Sequence, residues 1–388
     1  MVSAFIPVAR ISDMLLHPGA PFTYNGQTYA YPDIRLVYWA GGNPFHHHQD
    51  LNRLLQAWQR PESIVVHEQF WTPTAKLADV VLPATTSMER NDIGSATREG
   101  YLVAMRPLIP PVGQARDDYA IFAALAGRLG AAETYTEGLD ELGWLARLYN
   151  ESRGRAEAAG VDLPPFETFW EQGIIDLAHH ASPVTMLAGF RLNPDAAPLR
   201  TPSGRIEVGS ARIAGFGLPD CPGHACWREP LEWLGGEEAK RFPLHLLSDQ
   251  PVRRLHSQLD ASSYSLDGKV AGREPIDLHP ADAAARSIAD GDLVEVFNTR
   301  GRCLAAARLT PRIMPGVVKL ATGAWFDPDW TGGPEKHGNP NVLTLDAGAS
   351  SLSQGCSAQT CLVDIRRFDG PAPPVTAFDL PEFALSSQ

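Results

Sequence analysis

The residues best placed to do chemistry lie just after short apolar runs. Residues 34–39 read IRLVYW and run into Ala40-Gly41-Gly42-Asn43-Pro44. Glycines after a strand let backbone approach a ligand closely. Most Gly-Gly pairs only make a turn, so the pair alone is a weak signal. Residues 63–66 read SIVV and lead into His67-Glu68. A carboxylate there can accept paired N–H donors from a ligand. A third run, residues 79–82, stops at Pro83 and is followed by Glu89-Arg90-Asn91-Asp92. Arg90 could offset phosphate charge or simply pair with Glu89 or Asp92. Asp118 opens an expected helix, where it either faces a ligand or caps the helix. In the C-terminal part, residues 248–257 follow LHLLSD and carry Gln250, Arg253, Arg254 and His256. A lone histidine there would more often be a satisfied buried one. Three adjacent histidines, His46-His47-His48, invite a metal reading. Successive helical side chains diverge by about 100°, so the three cannot grip one ion, and no metal ligand is assigned.

Other chemistries lack their motifs. The chain has no G-x-G-x-x-G opening a helix, no G-x-x-x-x-G-K-[ST] loop, no H-E-x-x-H, no C-x-x-C and no G-x-S-x-G elbow. A hydrolase or phosphotransferase reading has no support.

The elements that must position these residues follow from the apolar pattern. Runs that are apolar throughout, alternating with helical segments such as residues 48–59 (Leu51, Leu54, Leu55 and Trp58 at helical spacing), predict an α/β lobe with a Rossmann-like parallel sheet. Ligands on such sheets bind beyond the carboxyl ends of the strands, which points to Gly41–Asn43, His67-Glu68 and the loop after Leu82. A strand at 101–105 and a helix at 117–129 complete this lobe, and residues 131–200 read as a helical, irregular insertion. Residues 201–208 read as a turn leading into a strand. The Pro/Gly/Cys-rich stretch 214–240 is the expected linker between residues 1–213 and 241–388. After 241, short strands separated by Gly, Pro and Asp signals, with one short helix at 279–288, predict a small β-barrel.

The chain has 388 residues, 44% hydrophobic and 20% charged, an ordinary globular balance. Lys and Arg number 33 against 45 Asp and Glu, a net charge of −12. That argues against non-specific nucleic-acid or anionic-membrane binding. Gly (34) and Pro (33) exceed their usual share, as expected of many tight turns. No run is long and apolar enough to span a bilayer. The opening MVSAFIPVARISDMLLHPGA lacks the basic start and apolar core of a signal peptide. Five cysteines, an odd number, argue against a disulfide framework and read as buried or idle thiols. Asp260, Asp267 and the acidic groups generally read as solvated.

Four segments, in order along the chain, resemble the molybdopterin oxidoreductases of the dimethyl sulfoxide reductase family. They are Trp39-Ala40-Gly41-Gly42-Asn43-Pro44-Phe45 with His46-His47-His48-Gln49-Asp50; Ala78-Asp79-Val80-Val81-Leu82-Pro83-Ala84-Thr85-Thr86 with Glu89-Arg90-Asn91-Asp92; Arg254-Leu255-His256-Ser257-Gln258; and Gly338-Asn339-Pro340-Asn341-Val342-Leu343-Thr344. The subgroup most resembled reduces biotin sulfoxide, trimethylamine N-oxide or dimethyl sulfoxide. The resemblance implies a double-psi barrel and a molybdenum held by two molybdopterin guanine dinucleotides. It implies that this chain is the C-terminal half of such an enzyme, inactive alone, with Met1 inside the parent fold and the molybdenum ligand on the other half. The expected partner is that half or a subunit supplying it, with the electron donor left open. A non-catalytic docking subunit or a truncated remnant is the alternative. The compartment implied is cytoplasmic, or periplasmic if the other half carries an export signal. Glu68 with His67 would accept from guanine N1–H and N2–H2, Asp118 would contact a nucleotide, and Arg90 would face pyrophosphate. Gly42, Asn43 and His47 would contact the cofactor. Ser248, Gln250, Arg254, His256 and Ser257 would run along a pterin dinucleotide, joined by Trp325, Asn341 and Gln359.

Overall fold

The computed structural model describes residues 6–96, 99–180 and 185–381. The start of the N-terminal stretch read for a signal, part of the 131–200 insertion and the end of the 241–388 span lie outside them. The chain forms two compact units, one of residues 1–66, 70–80 and 208–388, the other of residues 67–69 and 81–207.

The expected apolar runs become strands β1 (Leu36–Ala40), β2 (Ser63–Glu68) and β3 (Val80–Pro83), hydrogen-bonded in that order in one sheet. Between β1 and β2 runs helix α1 (Leu51–Trp58). Its spacing puts Leu51, Leu54 and Trp58 on one buried stripe. Asp50 starts it in the left-handed region at φ +44°, and its carboxylate accepts the Arg53 N–H at 3.1 Å, satisfying an orphan donor of the first turn.

The C-terminal part builds a closed six-stranded barrel. Its strands are β4 (Leu244–Leu247), β5 (Pro275–Leu278), β6 (Leu293–Phe297), β7 (Arg302–Leu309), β8 (Val317–Leu320) and β9 (Cys361–Arg367), ordered β5-β7-β6-β9-β4-β8. Pairing is mixed: β5/β7 and β8/β4 are parallel and the others antiparallel. Closure leaves no free strand edge. Cys303, Ala305 and Ala307 of β7 are buried together with Val294, Val296 and Val318, so small side chains fill a narrow interior. The expected barrel is therefore present, with two strands, β5 and β9, beyond those read from sequence. A hairpin at residues 21–30, also unexpected, stacks Phe22 on Tyr31 with ring centroids 4.5 Å apart.

The second unit carries an antiparallel sheet of residues 92–95, 101–105 and 174–176. Helices α2 (Asp118–Arg128), α3 (Glu141–Ala158) and α4 (Phe166–Gln172) accompany it. The insertion has its own core, in which Tyr149 stacks on Phe169 at 4.6 Å beside Leu163 and Phe166.

Residues 201–208 make the expected turn, closed by Gly204 N–H to Thr201 O at 3.0 Å, but no strand follows. Most residues there are exposed, and among the described residues the nearest β pairing is an isolated bridge between Gly209 and His224. Among the described residues, no helix is long and apolar enough to cross a membrane.

Candidate functional site

Four of the expected residues belong to the second unit. His67 and Glu68 are the last two residues of β2, the imidazole buried and the carboxylate half-buried. Asp118 begins α2, yet the helix is capped by its neighbour: Asp117 accepts the Ala120 N–H at 2.7 Å. Asp118 instead pairs with His67, Oδ1 lying 2.7 Å from Nδ1. A carboxylate at Nδ1 favours the tautomer that carries its proton there. The face of His67 packs on Phe122, centroids 4.9 Å apart. These contacts fix the imidazole in position and direction.

After β3, the chain turns through Thr85–Arg90. Glu89 closes this turn by accepting Thr86 N–H, Thr86 O–H and Val112 N–H, each at 2.7 Å. Those bonds, the Thr86 pair first, hold its carboxyl below the ordinary value. Arg90 donates to Thr85 O at 2.9 Å and approaches Asp92 at 3.5 Å. Of the two carboxylates open to it, it takes Asp92. Gln69 also donates to Thr85 O, at 2.9 Å. The Thr85 hydroxyl is buried with no hydrogen-bond partner among the described residues, a polar atom that sequence reasoning did not single out.

The remaining residues belong to the barrel unit. Gly41 and Gly42 have φ of +84° and +80°. A Cβ at Gly41 would meet nothing within 4 Å, so one face of this turn is open. Trp39 Nε1 donates to Gly42 O at 2.9 Å, and Asn43 accepts from the Thr74 hydroxyl. The three histidines diverge: His46 and His48 are buried, His47 is exposed. Ser12 Oγ and Asp346 Oδ1 lie 3.0 and 3.2 Å from the same nitrogen of His48, Nε2. A catalytic triad needs the nucleophile's hydroxyl and the carboxylate on opposite nitrogens of the histidine base, and this buried trio lacks that geometry.

The 248–260 loop is anchored from within. Arg254, with its side chain buried, lies 3.0 Å from Glu274 and 3.4 Å from Asp260, and donates to Thr322 O and His256 O. Lys269 lies 2.9 Å from Asp260 and 3.2 Å from Glu274. Asp260 is thus fully buried rather than solvated, while Asp267 is exposed as expected. The Asp260 carboxylate is tolerated inside because two cations balance two carboxylates. Burial alone would raise it, but its charged neighbours, Lys269 foremost, hold it below its ordinary value. Asp260 also accepts the Trp325 N–H at 3.0 Å, and Trp325 Nε1 donates to Ser257 O at 2.9 Å. Trp325 is buried and clamps the loop through its backbone. Gln359 clasps Ser248, donating to its carbonyl at 2.8 Å and accepting its N–H at 3.4 Å. Gln250 and His256 are exposed, His256 at φ +52°. Gln250 and Arg254 help line a cleft of about 250 Å³ together with Asp249, Arg308 and Lys319.

The 335–344 turn is organised by one carboxylate. Glu335 accepts N–H bonds from Asp327, His337, Gly338 and Asn339 at 2.8–3.2 Å. Burial still pushes its carboxyl up, to about 8. Asn341 is buried; its amide donates to His46 O at 3.0 Å and its oxygen accepts from Thr344 at 3.0 Å. It ties the histidine turn to the 338–344 motif. His337 Nδ1 donates to Trp325 O at 2.8 Å, which leaves Nε2 without a hydrogen-bond partner among the described residues. His46 Nδ1 is likewise unpartnered. Burial drives both imidazoles down to about 3, so both are neutral at pH 7. His337 and Asp249, whose Oδ1 is also unpartnered, were not legible as site candidates, because isolated polar residues carry no spacing signal.

The chain is similar to proteins of known function. Residues 13–128 match the family model described as "Molybdopterin oxidoreductase", and residues 244–362 the one described as "Molydopterin dinucleotide binding domain". The chain is 54% identical to a biotin sulfoxide reductase of Cereibacter sphaeroides over 96% of its length and 50% of the relative's. It is 48% identical to a dimethyl sulfoxide/trimethylamine N-oxide reductase of the same organism, over 98% of its own length and 47% of the relative's. The chain spans about half the length of the curated relatives it matches. Among solved structures, acetylene hydratase from Pelobacter acetylenicus superposes with a TM-score of 0.71 at 20% identity, covering 94% of this chain and 47% of that one. At that identity the likeness is one of fold. With two family models matched in order and close relatives over nearly its whole length, the chain belongs to the molybdopterin oxidoreductases of the dimethyl sulfoxide reductase family.

Proposed function

We propose that this chain is the C-terminal, cofactor-binding portion of a molybdenum enzyme that removes oxygen from an S-oxide or N-oxide. The single observation that carries the reading is the 54% identity to a biotin sulfoxide reductase across 96% of the chain. The cofactor is a molybdenum held by two molybdopterin guanine dinucleotides, its protein ligand supplied by the other half. When bound, that group supplies the two-electron redox chemistry of oxygen removal. This chain's residues bind and orient it.

The donor and acceptor set fits such a ligand. Buried polar atoms of Thr85, His46, His337 and Asp249 have no hydrogen-bond partner among the described residues, a costly arrangement that a polar ligand or water would relieve. Glu68 would accept from guanine, with His67 held beside it by Asp118. Gly42 and Asn43 would let backbone approach the ligand, with His47 exposed beside them. Gln250, His256 and Ser257 would offer donors and acceptors to a pterin. Arg254, Trp325 and Gln359 would act mainly by holding that loop in place, and Asn341 by holding the histidine turn, since each spends hydrogen bonds on backbone. Arg90 would meet phosphate charge at the cost of its contact with Asp92. The partner is the other half of the enzyme, the compartment cytoplasmic or, with an exported other half, periplasmic.

The test is a reduced-dye assay of the purified chain with added cofactor and each oxide. Little or no turnover is expected, with activity appearing once the other half is co-expressed. Turnover by the lone chain comparable to a full-length relative would overturn the half-enzyme reading. The match to only half of each relative also favours a second reading, a non-catalytic docking subunit; that version predicts a stable complex with no gain of activity.

A further inference from the structure

The 251–266 loop is built inside out. Two of its three Arg and Asp side chains point inward: those of Arg254 and Asp260 are 3% and 0% exposed, and that of Lys269, which closes the cluster, 1%, while Arg253 stays outside at 41%, over the Tyr264 ring. Its apolar residues point outward, with Val252 89%, Leu255 65% and Leu259 59% exposed and Tyr264 and Leu266 exposed beside them. A loop that ends in solvent has the opposite pattern, because exposed leucines and a buried ion cluster both oppose folding. The backbone is also strained. His256 and Leu259 sit at φ +52° and +54°, and such conformations persist only where surroundings over-determine them. The surroundings are the ion cluster, the Trp325 clamp on Ser257 O and the close packing of Gly323 on His256 O. The loop is therefore held in place while presenting several large apolar side chains to the outside.

Exposed apolar surface of this kind marks an interaction site. From it, and resting on the half-enzyme reading above, we infer that the outer face of residues 252–266 is the docking surface for polypeptide belonging to the other half of the enzyme. The relatives carry as much chain again outside the part that matches this one, which supplies an occupant of the right size. The occupant's contacting segment presents mainly apolar side chains, because Val252, Leu255, Leu259 and Tyr264 are the most exposed large apolar side chains of this face, with Arg253 its one exposed cation among the described residues. At 227–234 Glu232 likewise turns inward to Arg300 and the Leu362 N–H while Trp227 and Leu231 face out, beside the exposed Arg228 and Glu229.

The test co-expresses the 388-residue chain, carrying a benzophenone amino acid at Leu255, with the part of the Cereibacter sphaeroides biotin sulfoxide reductase that lies outside the match. Irradiation should cross-link position 255 to that polypeptide. In the chain without the probe, Val252→Glu with Leu255→Glu should lower co-purification at least tenfold, whereas Arg312→Glu, an exposed charge change elsewhere, should not. Both positions are exposed, so the unfolding midpoint of the lone double variant should stay put. A complex that forms normally, with no cross-link at 255 and no effect of the double variant, overturns the inference and leaves the half-enzyme reading intact. A cross-link to a second copy of this chain overturns it in favour of self-association. Loss of bound molybdenum with the polypeptide retained overturns it in favour of a cofactor-facing surface. Failure of the unmodified chain to co-purify removes both.

Discussion

Replacing Arg254 with Met tests whether the ion cluster holds the candidate loop. In the native protein two cations, Arg254 and Lys269, balance two carboxylates, Asp260 and Glu274, with all four side chains at most 9% exposed. Arg254→Met keeps the stem and removes the charge. Lys269 then faces two carboxylates alone, and the carbonyls of Thr322 and His256 lose their donors. Removing one member of a buried pair costs about 3–5 kcal/mol. The assay is urea unfolding of the purified chain, read by linear extrapolation. Arg254→Met combined with Glu274→Leu restores a one-to-one balance of Lys269 with Asp260. The double variant should recover about 2 kcal/mol relative to the sum of the single losses. A single-variant loss below about 1 kcal/mol, or strict additivity in the double variant, would refute the cluster as the loop's anchor.

The remaining expectations concern pH, capping and close packing. His46 and His337 are held near 3 by burial, while in the unfolded chain they titrate at about 6.5. The folded value lies below the unfolded one, so their contribution is full above about pH 6.5 and is lost as pH falls toward 3. At pH 5 each costs about 2 kcal/mol, roughly 4 together, and His46→Leu should halve that slope in denaturant titrations run at several pH values; an unchanged slope contradicts the assignment. Asp117→Ala should cost about 1 kcal/mol through loss of the α2 cap, whereas Asp118→Ala should spare the cap and change the His67 ring signals in NMR; the reverse pattern would undo the division of labour between the two aspartates. Gly323→Ala forces φ +87° on a side chain and drives its Cβ into the His256 carbonyl, so it should destabilise by at least about 2 kcal/mol, and a neutral effect in thermal unfolding would contradict the packing.

Much of the architecture is legible as pattern. The runs at 36–40, 63–68 and 80–83 are short and apolar throughout, and they become the sheet. The barrel strands at 293–297, 302–309 and 317–320 are marked by turn signals such as Asp290-Gly291-Asp292. β5 escaped notice because four residues beginning with Pro and containing Asp277 lack an apolar run; Asp277 is paired there by Arg308 and Lys319. The strand expected after Gly204 fails for want of a partner. In the site, Glu68, His67 and Asp118 stand out because strand ends and helix starts are readable positions. The inward turn of Asp260 is not readable, since its partners Arg254, Lys269 and Glu274 are assembled by tertiary structure. For the same reason Trp325 and Asn341 reveal their bracing contacts only once the barrel closes around them.

A guanine-bearing molybdopterin dinucleotide is the proposed ligand of this chain. The most direct measurement is acid release of nucleotide, with molybdenum analysis, from the complex of this chain and its complementing half. GMP should be the released nucleotide, two for each molybdenum, with a marked loss in Glu68→Gln. Release of CMP or AMP, or molybdenum with no nucleotide, would contradict it.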